Sequence, residues 1–125
     1  MSNPKLIIVL AAILLAIAVT AGAFGAHALK NVLSAERLET WQTAVQYHAW
    51  HALGLFLIAI AGSHFGFEVT WPASLLIVGI IIFSGSLYTL CLTGISWLGA
   101  ITPIGGVAFI AGWVTLAVQV FKKGL

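Results

Sequence analysis

The sequence predicts an all-α integral membrane protein: a four-helix bundle with a long second helix projecting beyond the bilayer. Composition is the first reason. Of the 125 residues, 62% are hydrophobic and 6% charged, against about a quarter charged in a soluble domain, and the mean hydropathy is +1.14. The second is the length of the apolar runs, spans about 6–26, 41–61, 72–93 and 98–121, each close to the ~20 residues that cross a hydrocarbon core as a helix. The third is that none of them alternates in polarity. Backbone groups in lipid must pair internally, as helices or closed barrels, and barrel strands would be alternating segments of about 10 residues. A single domain over residues 1–125 follows, with no linker or repeat.

The first run, Leu6 to Ala26, follows Pro4 and Lys5 and ends in the small residues Ala21, Gly22 and Ala23. That pattern imitates a signal peptide, but the apolar stretch exceeds the usual signal core, so the expectation is a retained span. Residues 28–34 form a polar connection. Ser34 is placed to cap the second helix, with Leu33 and Leu38 as a hydrophobic staple and Glu36 in the first turn, where the dipole favours a negative charge. From Ala35 to about Ala61 the helix is ~40 Å long at 1.5 Å per residue, longer than the ~30 Å hydrocarbon core. Its first two turns therefore stand at the interface.

The turn-rich stretch Gly62 to Glu68 predicts a loop, Thr70 a cap for the third helix with Pro72 in its first turn, and Gly94 its C-terminal stop. The fourth span ends at Lys122 and Lys123, which snorkel to the headgroups. Pro103 and the pair Gly105-Gly106 near its start predict a bend or a close helix contact. Small residues spaced by four (Ala18, Gly22 and Ala26; Ala21 and Gly25; Gly85 and Thr89; Ala108 and Gly112) predict close-packed faces.

Three of the four histidines, His27, His48 and His51, fall in or beside spans at one membrane face, the face holding the loop between the first two helices, here side X. Ionisable groups at membrane depth are costly and mark candidate functional sites. His64 lies toward the opposite face, side Y, as a solvated loop residue. The third helix returns to side X carrying Ser84, Tyr88 and Cys91 on one stripe. The second helix is polar on two faces there: Arg37, Ala44, His48, His51 and Leu55 on one, Glu39, Gln42, Gln46 and Leu53 on the other. That predicts a central helix contacted on both sides by protein or by another subunit. A polar pocket opening to side X is expected around the three histidines and Ser84, with Tyr47, Tyr88 and Trp41 at its mouth.

Several chemistries remain open for that pocket. The imidazoles can hydrogen-bond across helices to Tyr88, Ser84 or backbone carbonyls. They can bind a lipid headgroup, a quinone-like molecule or a membrane-protein partner. His27, His48 and His51 can serve as metal ligands, zinc using histidines at one-turn spacing, or as axial ligands of a haem. Ser84 or Ser86 as a nucleophile lacks an in-membrane carboxylate to orient a histidine base, so the reading leans away from an enzyme. Membrane lipids and a homo-oligomer are the other expected partners. The single cysteine, Cys91, excludes an internal disulfide and a zinc site of paired cysteines. With five basic residues in all there is no basic stripe for nucleic acid. Side Y holds Lys5, Lys122 and Lys123 against Lys30 and Arg37 on side X, which by the positive-inside rule puts both termini in the cytoplasm.

The segments GAFGAHALK at 22–30 and TWQTAVQYHAWHALGLF at 40–56 resemble the bacterial YgdD/YwdK group of small membrane proteins, domain of unknown function 423. The resemblance runs over nearly the whole chain and rests on Gly22, Phe24, Gly25, His27, Trp41, Thr43, Ala44, Tyr47, His48 and His51. It implies four spans and an inner or plasma membrane location, and no particular activity.

Overall fold

The computed structural model describes residues 3–124; Met1, Ser2 and Leu125, which the single-domain reading includes, lie outside the described residues. Among these there are no strands, and four helical segments are long and apolar enough to cross a membrane. The first span is α1 (Pro4–His27) and the second α2 (Ala35–Phe65). The third joins α3 (Thr70–Gly79) to α4 (Gly85–Thr93) through a π-helical turn at Ile80–Ser84, and the fourth is a 3₁₀ turn at Ser96–Ala100 leading into α5 (Thr102–Lys123). Succeeding spans run in opposite directions, and α2 touches both neighbours: α1 on one side and the third span on the other.

Each helix starts and stops for a local reason. Asn3 caps α1, its side-chain oxygen accepting from the Lys5 and Leu6 amides, with Pro4 at the first helical position where a missing N–H costs nothing. This start is two residues earlier than the hydropathy predicts. Ser34 caps α2 as expected, accepting from the Arg37 amide at 3.1 Å, and Leu33 and Leu38 pack on the same buried cluster of Leu29, Trp41, Leu90 and Cys91.

The end of α2 is a correction. The helix continues through Gly62, Ser63, His64 and Phe65 and stops at Gly66, in the left-handed conformation (φ 77°) with its amide bonded to the Gly62 carbonyl. His64 is therefore an exposed residue of the last helical turn and not of a loop. Gly62 persists within the helix because Val69 packs onto it: a Cβ there would come within 2.4 Å of the Val69 side chain. With 31 residues α2 is ~46 Å long at 1.5 Å per residue.

Thr70 is likewise corrected from cap to first helical residue. The capping group is the Glu68 carboxylate, whose Oε1 accepts from the Val69 and Thr70 amides, each at 3.0 Å, and from the Thr70 hydroxyl. These bonds, the Thr70 hydroxyl's first among them, hold the Glu68 carboxyl below its ordinary pKa. Gly94 ends the third span as expected, left-handed at φ 74°.

The predicted close contact near Pro103 occurs at Gly105. A Cβ on Gly105 would lie 2.4 Å from the Phe83 backbone nitrogen and 2.8 Å from its Cα, so α5 crosses the π turn backbone to backbone. Gly25 accepts the Trp41 ring, Gly79 the Phe109 ring and Gly112 the Leu76 side chain in the same way. Gly85 and Thr89 do not form a packing face: nothing lies within 4 Å of a Cβ on Gly85, and Thr89 is exposed with its hydroxyl on the Gly85 carbonyl.

The interior divides by depth. Toward side Y the core is aliphatic, with Ile7, Ala11, Leu55, Ile58, Ala59, Ala73 and Leu76 buried together. The buried polar side chains His48, His51, Ser84, Ser86 and Thr102 lie at mid-depth and toward side X.

Candidate functional site: a polar seam and an aromatic-histidine cluster

The stripe Ser84, Tyr88 and Cys91 faces α2 and bonds to it at every position. The Ser84 hydroxyl donates to the Ala44 carbonyl at 2.7 Å, the Tyr88 hydroxyl meets His48 Nδ1 at 2.8 Å, and the Cys91 thiol donates to the Arg37 carbonyl at 3.2 Å. Arg37 returns a long bond, 3.4 Å, from Nη1 to the Leu90 carbonyl in the last turn of α4, which also accepts from the Gly94 amide. On the α1 side the Trp41 indole donates to the Ala21 carbonyl at 2.9 Å and its ring lies 4.7 Å from that of Tyr88. Trp41 is 4% exposed. It is thus a packed joint between α1, α2 and α4, because the flat face of Gly25 lets the indole seat against α1, and it also lines a groove at side X with Gln42 and Gln46.

His48 and His51 are both buried, but they look at different neighbours. His48 bonds Tyr88 through Nδ1, while its Nε2 is enclosed, without a well-formed hydrogen bond, beside the Leu14 carbonyl of α1. A carbonyl only accepts, so the tautomer suited to this position carries its proton on Nε2, and Tyr88 donates to Nδ1. His51 bonds the Tyr47 carbonyl one turn back, 2.7 Å from Nδ1. By the same reasoning its proton is on Nδ1, and Nε2 keeps a lone pair.

The His51 ring stacks on Phe109 with centroids 3.6 Å apart and lies 5.8 Å from Trp113. Tyr47 packs on Phe83 at 4.5 Å and on His51 at 6.0 Å. An aromatic cluster of Tyr47, His51, Phe83, Phe109 and Trp113 therefore joins α2, the π turn and α5.

The expected convergence of three imidazoles does not form. His27 is exposed at the end of α1, and among the described residues no three His, Cys, Asp or Glu side chains make a group able to hold a metal ion. Residues three apart differ by about 60° around a helix axis. On an outer helix that is one face; on the central α2 it separates the α1 and α4 side from the α5 side. Ser84 and Ser86 bond to carbonyls and to Thr102, at 2.6 Å for the last pair, and neither meets a histidine. Phe83, Phe109 and Trp113 escaped the sequence reading, although Tyr47/His51 and Phe109/Trp113 are both pairs at i, i+4, a spacing that puts two rings on one helix face.

Comparison with known proteins agrees with this architecture. A family model described as protein of unknown function, DUF423, matches residues 21–106. The chain belongs to the DUF423 family. Its relatives include the UPF0382 membrane protein YwdK of Bacillus subtilis, 50% identical over 121 residues covering 94% of this chain and 98% of YwdK. UPF0382 membrane proteins of Staphylococcus saprophyticus and Staphylococcus haemolyticus are 50% and 48% identical over 118 residues, 94% of this chain and 98% and 97% of theirs. No solved structure matches the chain.

In this DUF423 protein the open grooves flank α2. One of about 360 Å³ runs between α2 and α5, lined by Gly54, Leu57, Ile58, Ala61, Phe65 and Phe67 with Trp113, Leu116 and Val120. Its inner end is Trp113, whose ring rests on Gly54: a Cβ there would meet it at 2.6 Å. His51 lies behind that indole. A larger groove of about 710 Å³ lies between α1 and α2 near side Y, with Lys5, Ser63 and His64 at its edge. At side X, Gln42 and Gln46 edge a groove over Gly22, Gly25 and Ala26. Both glutamines and Glu39 are exposed, so this chain covers only one of the two polar faces expected of α2.

Proposed function

We propose that this protein is a non-enzymatic membrane protein that holds a bilayer amphiphile, a lipid or a quinone-like molecule, in the groove between α2 and α5. One observation carries the reading: the groove is almost wholly apolar, one leaflet deep, and ends against Trp113 with His51 behind it. From Gly54 to Phe65 it follows α2 for ~16 Å at 1.5 Å per residue, about half of a ~30 Å hydrocarbon core. A single acyl or prenyl chain entering from side Y meets apolar walls along that whole distance. Ligand sites in membrane bundles share this character, mostly apolar with a few polar groups to set orientation.

This puts the ligand in a groove that no histidine lines, and not in the side X histidine pocket expected from the sequence; His51 only backs Trp113, while His48 bonds within the bundle. The reading also assigns the protein to the cell membrane with both termini in the cytoplasm, on the three side Y lysines against Lys30 and Arg37. A C-terminal fluorescent-protein fusion is then bright, and a C-terminal alkaline phosphatase fusion inactive.

Extraction of the full chain in native lipid patches, followed by mass spectrometry of what stays bound after detergent washing, tests the reading. An amphiphile retained at about one per chain, and lost from an Ala61→Trp variant that fills the groove yet keeps its thermal unfolding midpoint, supports it. Retention of nothing, or equal retention by the filled variant, sinks it. A second membrane protein recovered in place of an amphiphile would make the groove a partner-helix site instead.

A further inference from the structure

The α2–α5 groove does not end in bare lipid at side Y. A polar recess of about 270 Å³ adjoins it at Phe67, lined by Gly66, Phe67, Glu68, Gln119, Lys122 and Lys123. Phe67 lines both, and Gln119 adjoins Val120 of the groove. The two spaces thus meet at Phe67, with apolar walls for a chain on one side and a basic rim on the other. We infer that the ligand of this site is an anionic phospholipid of the side Y leaflet, its phosphate held by Lys122 and Lys123 and one acyl chain lying between α2 and α5. This rests on the amphiphile reading above and names the chemistry of that ligand.

Charge and geometry select this class. The charged groups around the recess are Lys122, Lys123 and Glu68. Glu68 does not spend its charge on the lysines: Oε1 is committed to the amides of Val69 and Thr70 and to the Thr70 hydroxyl at the start of α3, a helix end that itself favours a negative group. Both ammonium groups are exposed and free to rotate on flexible stems toward an incoming anion. The carboxamide of Gln119 supplies a donor beside them. A zwitterionic headgroup would bring its own cation against the two lysines and gain less. A free phosphate would leave the apolar part of the site in contact with nothing it binds.

Photo-crosslinking in nanodiscs tests both levels separately. The full chain is reconstituted in phosphatidylcholine with a trace of phosphatidylglycerol or of phosphatidylcholine carrying a diazirine on the acyl chain; adducts are mapped by mass spectrometry. The expected result is labelling of Leu57, Ala61, Leu116 and Val120 that is at least about tenfold stronger with the anionic probe. Each lysine should account for about fivefold, so Lys122→Gln with Lys123→Gln should equalise the two probes. Groove labelling that is equal for both probes in the native protein, or an anionic preference that survives the double substitution, overturns the lipid assignment and leaves the amphiphile reading standing. Groove labelling by both probes no stronger than on the outward face of α1, at Ile13 and Ile17, overturns both.

Discussion

The two halves of the bundle, split at mid-depth, are held by different physics. Toward side X, directional bonds fix which residue meets which: Ser84 with Ala44, Tyr88 with His48, Cys91 with Arg37 and Trp41 with Ala21. Toward side Y, Ile7, Leu55, Ile58 and Leu76 fill volume, and the two larger of the grooves flanking α2 open beside that core. In lipid, burial of apolar side chains against each other gains little over burial in acyl chains, so helix association relies on close packing and on hydrogen bonds. The polar half can therefore set the register of all four spans, and the apolar half is left free to exchange protein contacts for lipid contacts. A ligand groove belongs in the second half for that reason.

The sharpest way to break this division is to remove its joint. Trp41→Ala empties a buried site shared by α1, α2 and α4 and deletes the bond to Ala21, and it should cost about 3–5 kcal/mol by reversible unfolding in mixed micelles. A cost below about 1 kcal/mol would mean that register is set elsewhere. Gly105→Ala comes next, at roughly 1–3 kcal/mol, because the added methyl meets the Phe83 backbone and not a side chain that can rotate away. Gly85→Ala is its control: with nothing near that position, the helix gains up to about 1 kcal/mol in propensity. Equal effects at the two glycines would remove the crossing at the π turn from the account.

Smaller effects sharpen the comparison. Tyr88→Phe keeps the ring against Trp41 and removes only the bond to His48. Interhelical hydrogen bonds of this kind average about 0.6 kcal/mol and reach about 1.7. The upper end is expected, since His48 is left buried with neither nitrogen well satisfied. A double cycle with His48→Phe separates the pair from its surroundings, and a coupling near zero would show that the bond does not lock the seam. In the apolar half, Ile58→Leu conserves volume and should cost less than about 1.5 kcal/mol.

What the sequence reveals follows the same division. The stripe Ser84, Tyr88 and Cys91 is legible because residues four and three apart share a face on any helix, and a polar face in a span must find a partner. Span existence is legible from length and hydropathy for the same kind of reason. The histidine trio misleads because spacing gives angles around α2 but not which neighbour occupies each angle; His48 and His51 fall on opposite sides of a boundary that tertiary packing sets. Gly62 and Ser63 read as breakers, yet the chain stays helical, because Val69 needs a side chain without bulk at Gly62. The grooves leave no trace in the sequence at all, since a lipid-facing and a groove-facing leucine are identical letters.

The smallest expected effect is also the most local. Glu68 caps α3 through three bonds to one oxygen, and these hold its carboxyl below the reference value of 4.5. A carboxyl with a depressed pKa in the folded state gives stability that is complete above its unfolded pKa and disappears as pH falls through the folded one. The start of α3 should therefore loosen only in acid, below about pH 4.5. Amide exchange at Val69 and Thr70, measured relative to a Glu68→Gln variant at each pH to cancel the intrinsic pH dependence, should show protection in the native chain near neutrality that converges on the variant in acid. The variant still offers an amide oxygen to the two backbone donors, so the difference isolates the charge. If protection at these two amides is the same in both proteins across the range, the cap is held by geometry alone. In that case the Glu68 charge is not committed to the helix end, and it opposes whatever anion Lys122 and Lys123 attract.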